Sequence, residues 1–183
     1  MQDHRKQLIH LLHMAYSGEK AAGYAYAGHW RSIKAGPERT RIQEIERDEW
    51  KHRAIVGEIL SVLDAKPQFF RELLMAMIGR TVGCACFLIG RFLPMYFAGK
   101  LESANIKEYE HASQHAQILG LQKYAAELMK LSEVEKEHEL FFFDAVREHR
   151  MLPVLRRIFN WGPESKSSAI EKKASNSPKR GNR

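Results

Sequence analysis

Two Glu-x-x-His pairs, Glu49/His52 and Glu135/His138, each follow a lone glutamate about one helix length upstream, Glu19 and Glu102. Helical residues three apart face the same way, so each pair can aim a carboxylate and an imidazole at one point. A two-metal site in a four-helix bundle draws one glutamate from each of two helices and Glu-x-x-His from each of the other two. The order along this chain is Glu, Glu-x-x-His, Glu, Glu-x-x-His, which makes two half-sites in series. A fold that uses this pattern must bring four helices to one centre.

One such motif is weak evidence. With 18 Glu and 9 His in 183 residues, about one match arises by chance. Three occur, and the third, Glu108/His111, has polar flanks (Lys107, Glu110, Ser113, Gln114, His115) that read as a solvated helix face. The other two sit on apolar stripes. Ile42, Ile45, Val56, Ile59 and Leu63 share the face of Glu49/His52, and Leu128, Leu131, Phe142 and Ala145 that of Glu135/His138. Glu19 shares its stripe with Leu12, Tyr16, Ala22, Gly23 and Tyr26, and Glu102 with Met95, Ala98, Ile106 and Tyr109. Carboxylates on buried faces are costly unless protonated, paired or bound to metal. The competing reading is four ordinary helices whose glutamates form surface ion pairs.

The length suits one domain with a real core. Cys84 and Cys86 are the only cysteines; they cannot make a zinc site by themselves, and they read as buried thiols in a reducing cytoplasm. The first residues are polar and lack the apolar centre of a signal peptide. The net charge of +7 is uneven, since residues 151–183 carry eight basic residues against two acidic. The nearly neutral body therefore offers no basic face for nucleic acid.

Hydrophobic spacing predicts an all-α chain. A four-helix bundle occupies residues 1–150, a short amphipathic C-terminal helix residues 151–161, and a disordered basic tail residues 162–183. The first helix, rich in Ala and Gly at its middle, ends at Ala35-Gly36-Pro37, and Pro37 fits the first turn of the next. The apolar stretch from Phe69 to Phe92 is interrupted by Arg71, Glu72, Arg80 and Arg91, and its uncharged run from Thr81 to Gly90 is too short to span a bilayer. It reads as a buried or interfacial crossover helix, bent at its glycines, joining the half-sites. The segment from Met151 to Trp161 fits an interfacial helix and a helix docked on the bundle equally well.

Mixed imidazole and carboxylate ligands suit iron, with manganese as a competitor. Glu49 and Glu135 are the expected bridges, with Glu19 and Glu102 more terminal. Tyr109, two turns beyond Glu102, is a candidate donor beside the metals, although an ordinary core tyrosine would occupy the same place. The remaining histidines, His10, His13, His29, His111, His115 and His149, read as surface or packing residues.

In Glu19, Glu49-x-x-His52, Glu102 and Glu135-x-x-His138, in that order, the chain resembles the ferritin-like di-iron hydroxylases of ubiquinone biosynthesis, the demethoxyubiquinone hydroxylase group, over residues 5–150. The resemblance implies a ferritin-like fold and two iron ions. It implies dioxygen and a lipid-like polyprenylated quinone as partners, and a peripheral position on the inner, cytoplasmic face of the cell membrane. Phe87, Leu88, Phe92, Met95 and Phe97 would form the apolar approach. A homo-oligomer is compatible with the pattern. The same ligands would serve a soluble di-iron oxidase with another small substrate, or a ferroxidase or peroxidase in iron and peroxide handling. A metal-free helical scaffold is the remaining reading.

Overall fold

A computed structural model describes residues 1–162. The expected disordered tail lies, from residue 163 onward, outside the described residues. Among these the fold is entirely helical: α1 (Gln2–Ser32), α2 (Pro37–Val62), α3 (Phe69–Ala85), α4 (Phe92–Ile118), α5 (Gln122–Val146) and α6 (Leu152–Phe159). Pro37 opens α2, where its missing N–H is no loss. Two helices end in the same way. Asp64 and Gly120 take left-handed φ of 50° and 76°, and the N–H groups of Ala65 and Leu121 turn back to the carbonyls of Leu60 and Ala116.

Side-chain contacts fix the bundle's topology. Trp30 meets Glu46 while Arg5 meets the Leu63 carbonyl, so α1 and α2 are antiparallel. Tyr26 meets Glu102 and His4 meets His115, so α4 also runs antiparallel to α1. His52 meets Glu135 and Glu58 meets Lys123, which places α5 antiparallel to α2. The up-running α3 returns the chain along α1 between the two hairpins and is the predicted crossover.

Two apolar clusters fill the bundle at different heights. One gathers Leu8, Leu12, Val56, Ile59, Leu60, Leu128 and Leu131. The other gathers Ile42, Ile45, Met95, Tyr96, Phe142 and Val146. The six predicted ligand residues lie between them in sequence on every helix, so the polar layer is sealed above and below.

The crossover departs from expectation in length. Its helix stops at Ala85, and residues 86–91 form turns that include Gly90 at φ 74°. Small residues hold α3 against α1: a Cβ on Gly79 would lie 2.3 Å from the Ala21 carbonyl oxygen, and one on Gly28 would lie 2.4 Å from Gly83. Glu72 of α3 is buried and bonds Arg53 of α2 at 2.5 Å and Lys20 of α1 at 3.3 Å. The opposite face of α3 is apolar and bare, with Phe70 83% exposed. Leu73, Leu74 and Met77 are also exposed there, and Leu88, just beyond the helix, is 87% exposed. Cys84 is exposed rather than buried, because it falls on this outer face.

The C-terminal segment docks back on the bundle, one of the two readings left open by the sequence. Leu152 and Trp161 insert into the upper cluster, and Trp161 Nε1 donates to Glu139 at 2.9 Å. Gly99 makes the room, since a Cβ there would lie 2.3 Å from the Trp161 ring. Val154 and Ile158 face outward.

The close packing of α3 on α1 generates a paired prediction. Gly79→Ala forces the helices apart and should cost about 1–3 kcal/mol. Gly18→Ala, where a Cβ meets nothing within 4 Å, should stabilise by roughly 0.5–1 kcal/mol through helix propensity. Urea unfolding midpoints check both, and equal shifts of one sign would refute the packing argument.

Candidate metal centre

The antiparallel register makes the motifs self-complementary. On α2 and α5, Glu49 falls opposite His138 and His52 opposite Glu135. His52 Nδ1 lies 3.0 Å from Glu135 Oε1, and His138 Nδ1 lies 3.5 Å from Glu49 Oε1 and 3.3 Å from Glu135 Oε2. Glu19 from α1 and Glu102 from α4 complete the ring. All six predicted ligand residues are at most 3% exposed.

Their donor atoms form two groups, each within 4.8 Å: Glu19, Glu49, His52 and Glu135, and Glu49, Glu102, Glu135 and His138. Glu49 and Glu135 belong to both, the placement that a bridging ligand requires. These buried groups can hold metal ions. The fit is visible in the atoms left without partners: both Glu49 carboxylate oxygens and Glu19 Oε2 are buried and unbonded. Anionic oxygens sealed from water without donors need a cation or a proton.

The charge distribution follows from this crowding. Burial raises the carboxyls of Glu19, Glu49 and Glu102, and neighbouring carboxylates push Glu49 and Glu102 well up. Burial acts in the same direction on Glu135 but is outweighed by hydrogen bonds from His138 and His52, which hold it down at about 2. For His52, burial is outweighed by the bond to Glu135 and the charge of Glu19, so its pKa rises.

Tyr109, the candidate donor, sits fully inside and its hydroxyl donates to Glu19 Oε1. The structure adds a counterpart that the sequence reading left as an apolar stripe residue: the Tyr26 hydroxyl donates to Glu102 Oε1. Each tyrosine lies seven residues after one lone glutamate and bonds the other, a reciprocity that the antiparallel α1/α4 pair creates. Burial and the facing carboxylates raise both phenols well above 10, so they remain donors. Asn105 Nδ2 donates to Glu102 Oε2 at 3.0 Å, and Asp48 Oδ2 lies 3.5 Å from His138 Nε2. Asp48 is the residue before Glu49, and only the tertiary register brings it to His138. A carboxylate behind a ligating imidazole fixes the ring's orientation and tautomer.

The third motif does not join the cluster, and His111 is exposed as expected. Glu108 differs from expectation. It is half-buried beside Ala15, Asn105 and Tyr109, and burial with the charge of Glu19 raises its carboxyl to about 7. Its polar sequence neighbours point elsewhere, and α1 covers it.

An apolar cavity of about 390 Å³ adjoins the cluster on the side of Tyr26. Ala22 and Tyr26 of α1, Val82 and Ala85 of α3, and Phe97 and Leu101 of α4 help to line it. Val82, Phe97 and Leu101 are also among the exposed apolar residues, so the cavity opens onto the bare apolar surface. Of the expected approach residues only Phe97 lines it; Met95 and Phe92 belong to the upper cluster, and Phe87 and Leu88 face outward. No described helix is long and apolar enough to cross a membrane.

The family model described as ubiquinone biosynthesis protein COQ7 matches residues 6–139. That span runs from before Glu19 to just past His138 and stops short of α6. Comparison with the curated proteins and with the solved structures gives no match.

A pH dependence follows from the buried charges. In the metal-free fold Glu19, Glu49, Glu102 and His52 hold protons more tightly than their ordinary values of 4.5 and 6.5 allow. The stability they contribute is present below those values and is lost as pH rises through the raised ones. A bound cation displaces the same protons. The difference in Tm between metal-loaded and chelator-stripped protein should therefore widen as pH rises above 6.5. A scanning calorimetry series checks this, and a difference independent of pH would contradict the charge assignment.

Proposed function

We propose, since the chain belongs to the COQ7 family of ubiquinone biosynthesis proteins, that it is a di-iron monooxygenase that hydroxylates a polyprenylated quinone ring at a membrane surface. The observation that carries this reading is the pair of buried ligand groups sharing Glu49 and Glu135. Glu19, Glu49, His52, Glu102, Glu135 and His138 would hold two metal ions. Bound there, iron would supply the redox chemistry that dioxygen activation needs.

The chain's own residues perform the rest. The Tyr26 and Tyr109 hydroxyls steer Glu102 and Glu19, and Asp48 orients His138. The two apolar clusters exclude water from the layer between them, which strengthens every electrostatic contact inside it. The cavity positions a ring against Tyr26 and lets an isoprenoid tail leave toward the exposed surface of α3 and α4. In the overall reaction one oxygen atom of dioxygen replaces a ring hydrogen as hydroxyl. The other leaves as water, using two electrons from an external reductant and two protons. Oxidation of a small soluble substrate, or iron handling, would give this apolar cavity and its bare rim no task.

Anaerobic loading with ferrous iron should give about two irons per chain by elemental analysis, lost in Glu49→Ala and Glu135→Ala. The loaded protein, given a reductant, labelled dioxygen and a methoxy-methyl-benzoquinone with a prenyl tail, should form a product carrying one labelled oxygen atom. Bound iron without that product would sink the hydroxylase reading. A manganese-loaded protein of equal activity would sink the assignment of iron. Flotation with anionic lipid vesicles tests the surface: Phe70→Ser with Leu74→Ser should reduce co-flotation several-fold while leaving metal content unchanged.

A further inference from the structure

The wall of the apolar cavity contains one polar side chain whose hydrogen-bonding capacity is unspent. His29 is 2% exposed, yet its Nε2 is buried without a partner. The other polar groups lining that cavity are engaged: the Tyr26 hydroxyl donates to Glu102, and Cys86 Sγ lies 3.2 Å from the Val82 carbonyl. His29 also borders a second cavity, near the α1–α2 turn, and so forms part of the partition between the two.

Packing alone does not account for an imidazole here. The His29 ring stacks on Phe142 at 6.3 Å and on Tyr26 at 6.4 Å, in nearly parallel planes. A leucine or phenylalanine would fill that space with no buried nitrogen left unsatisfied, a state that costs stability. Burial, reinforced by the positive charge of Arg91, lowers the imidazole to about 4, so the ring is neutral and has one N–H and one lone pair. Such a ring can donate to a carbonyl oxygen or accept from a hydroxyl. It stands one helical turn beyond Tyr26, about 4.5 Å along the axis, on the side away from the metal layer.

We infer that His29 is the ring-binding residue of the cavity, hydrogen-bonding one oxygen of a quinone or its quinol so that the rest of the ring faces Tyr26 and the ligand cluster. The inference rests on the proposed quinone reading and adds to it the residue that selects an oxygen-bearing ring over a plain hydrocarbon. The size of the cavity suits a ring and the start of its tail, since ligand pockets begin at roughly 300 Å³. Its apolar rim then holds no specificity of its own, and discrimination falls to the single polar contact.

The test compares two probes on metal-loaded protein by equilibrium dialysis in dilute detergent. One is a methoxy-methyl-benzoquinone carrying one isoprenoid unit, and the other is a methylbenzene carrying the same isoprenoid unit and no oxygen. Wild type should bind the quinone more tightly. His29→Leu should weaken quinone binding about tenfold while leaving hydrocarbon binding unchanged or tighter. His29→Gln, which keeps a donor and an acceptor, should restore most of the preference. Equal losses for both probes in His29→Leu, or no loss for either, would overturn the inference. Binding is read without turnover, so the two readings separate. A chain that selects the quinone through His29 yet hydroxylates nothing would refute the enzyme reading alone. A chain that hydroxylates the quinone with unchanged dissociation constants in His29→Leu would refute this one alone.

Discussion

Four carboxylates share one sealed layer of this bundle, and the rest of the structure is arranged around their charge. Glu49 illustrates the constraint, since neither of its oxygens has a donor and neither reaches water. Protons can neutralise such a site, but at a cost that rises with pH. Bound cations would neutralise it through the same lone pairs. The neighbouring residues reinforce that solution. The Tyr26 and Tyr109 hydroxyls donate to Glu102 and Glu19, and the two histidines present Nδ1 to Glu135. The apolar clusters above and below keep the effective dielectric low, which raises the penalty for leaving the layer uncompensated.

The geometry has a simple origin. In an antiparallel helix pair, a residue a fixed distance ahead on one helix faces one the same distance behind on the other. Two identical three-residue motifs on such a pair therefore exchange partners, Glu to His and His to Glu. Two identical seven-residue spacings, Glu19 to Tyr26 and Glu102 to Tyr109, exchange partners in the same way on α1 and α4. A local repeat in sequence becomes a reciprocal contact in space, and each half-site is completed by the other.

This origin also explains what the sequence could disclose. Glu49, His52, Glu135 and His138 were legible because their pattern is local, a Glu and a His three residues apart on an apolar stripe of one helix. The crossover and the helix boundary at Pro37 were legible for the same reason. Tyr26 and Asp48 reach their partners across helices, and nothing in their immediate neighbourhood distinguishes them from packing or surface residues. Glu108 shows the converse error, in which polar neighbours suggested solvent while α1 covered the side chain. His29 looked like a packing residue because the feature that marks it, a nitrogen with no partner, exists only once the surrounding helices are in place.

The cavity beside the cluster depends on the crossover helix ending early. A helix continuing from Phe69 to Phe92 would have packed along α1 to the top of the bundle and filled the space beside Tyr26 and His29. Instead the glycine contacts at positions 79 and 83 hold α3 tightly to α1 over its second half, and the chain breaks into turns after Ala85. Beyond the last glycine contact the chain turns at residues 86–91, and Gly90 in a left-handed conformation leads it toward α4. A gap remains between the end of α3 and the start of α4, floored by α1 and rimmed by Val82, Ile89 and Phe97. The small residues that make the crossover close-packed and the turn that ends it thus set the depth of the cavity. The same helix supplies the apolar surface onto which the cavity opens, so one short element borders both that surface and the space beside Tyr26 and His29.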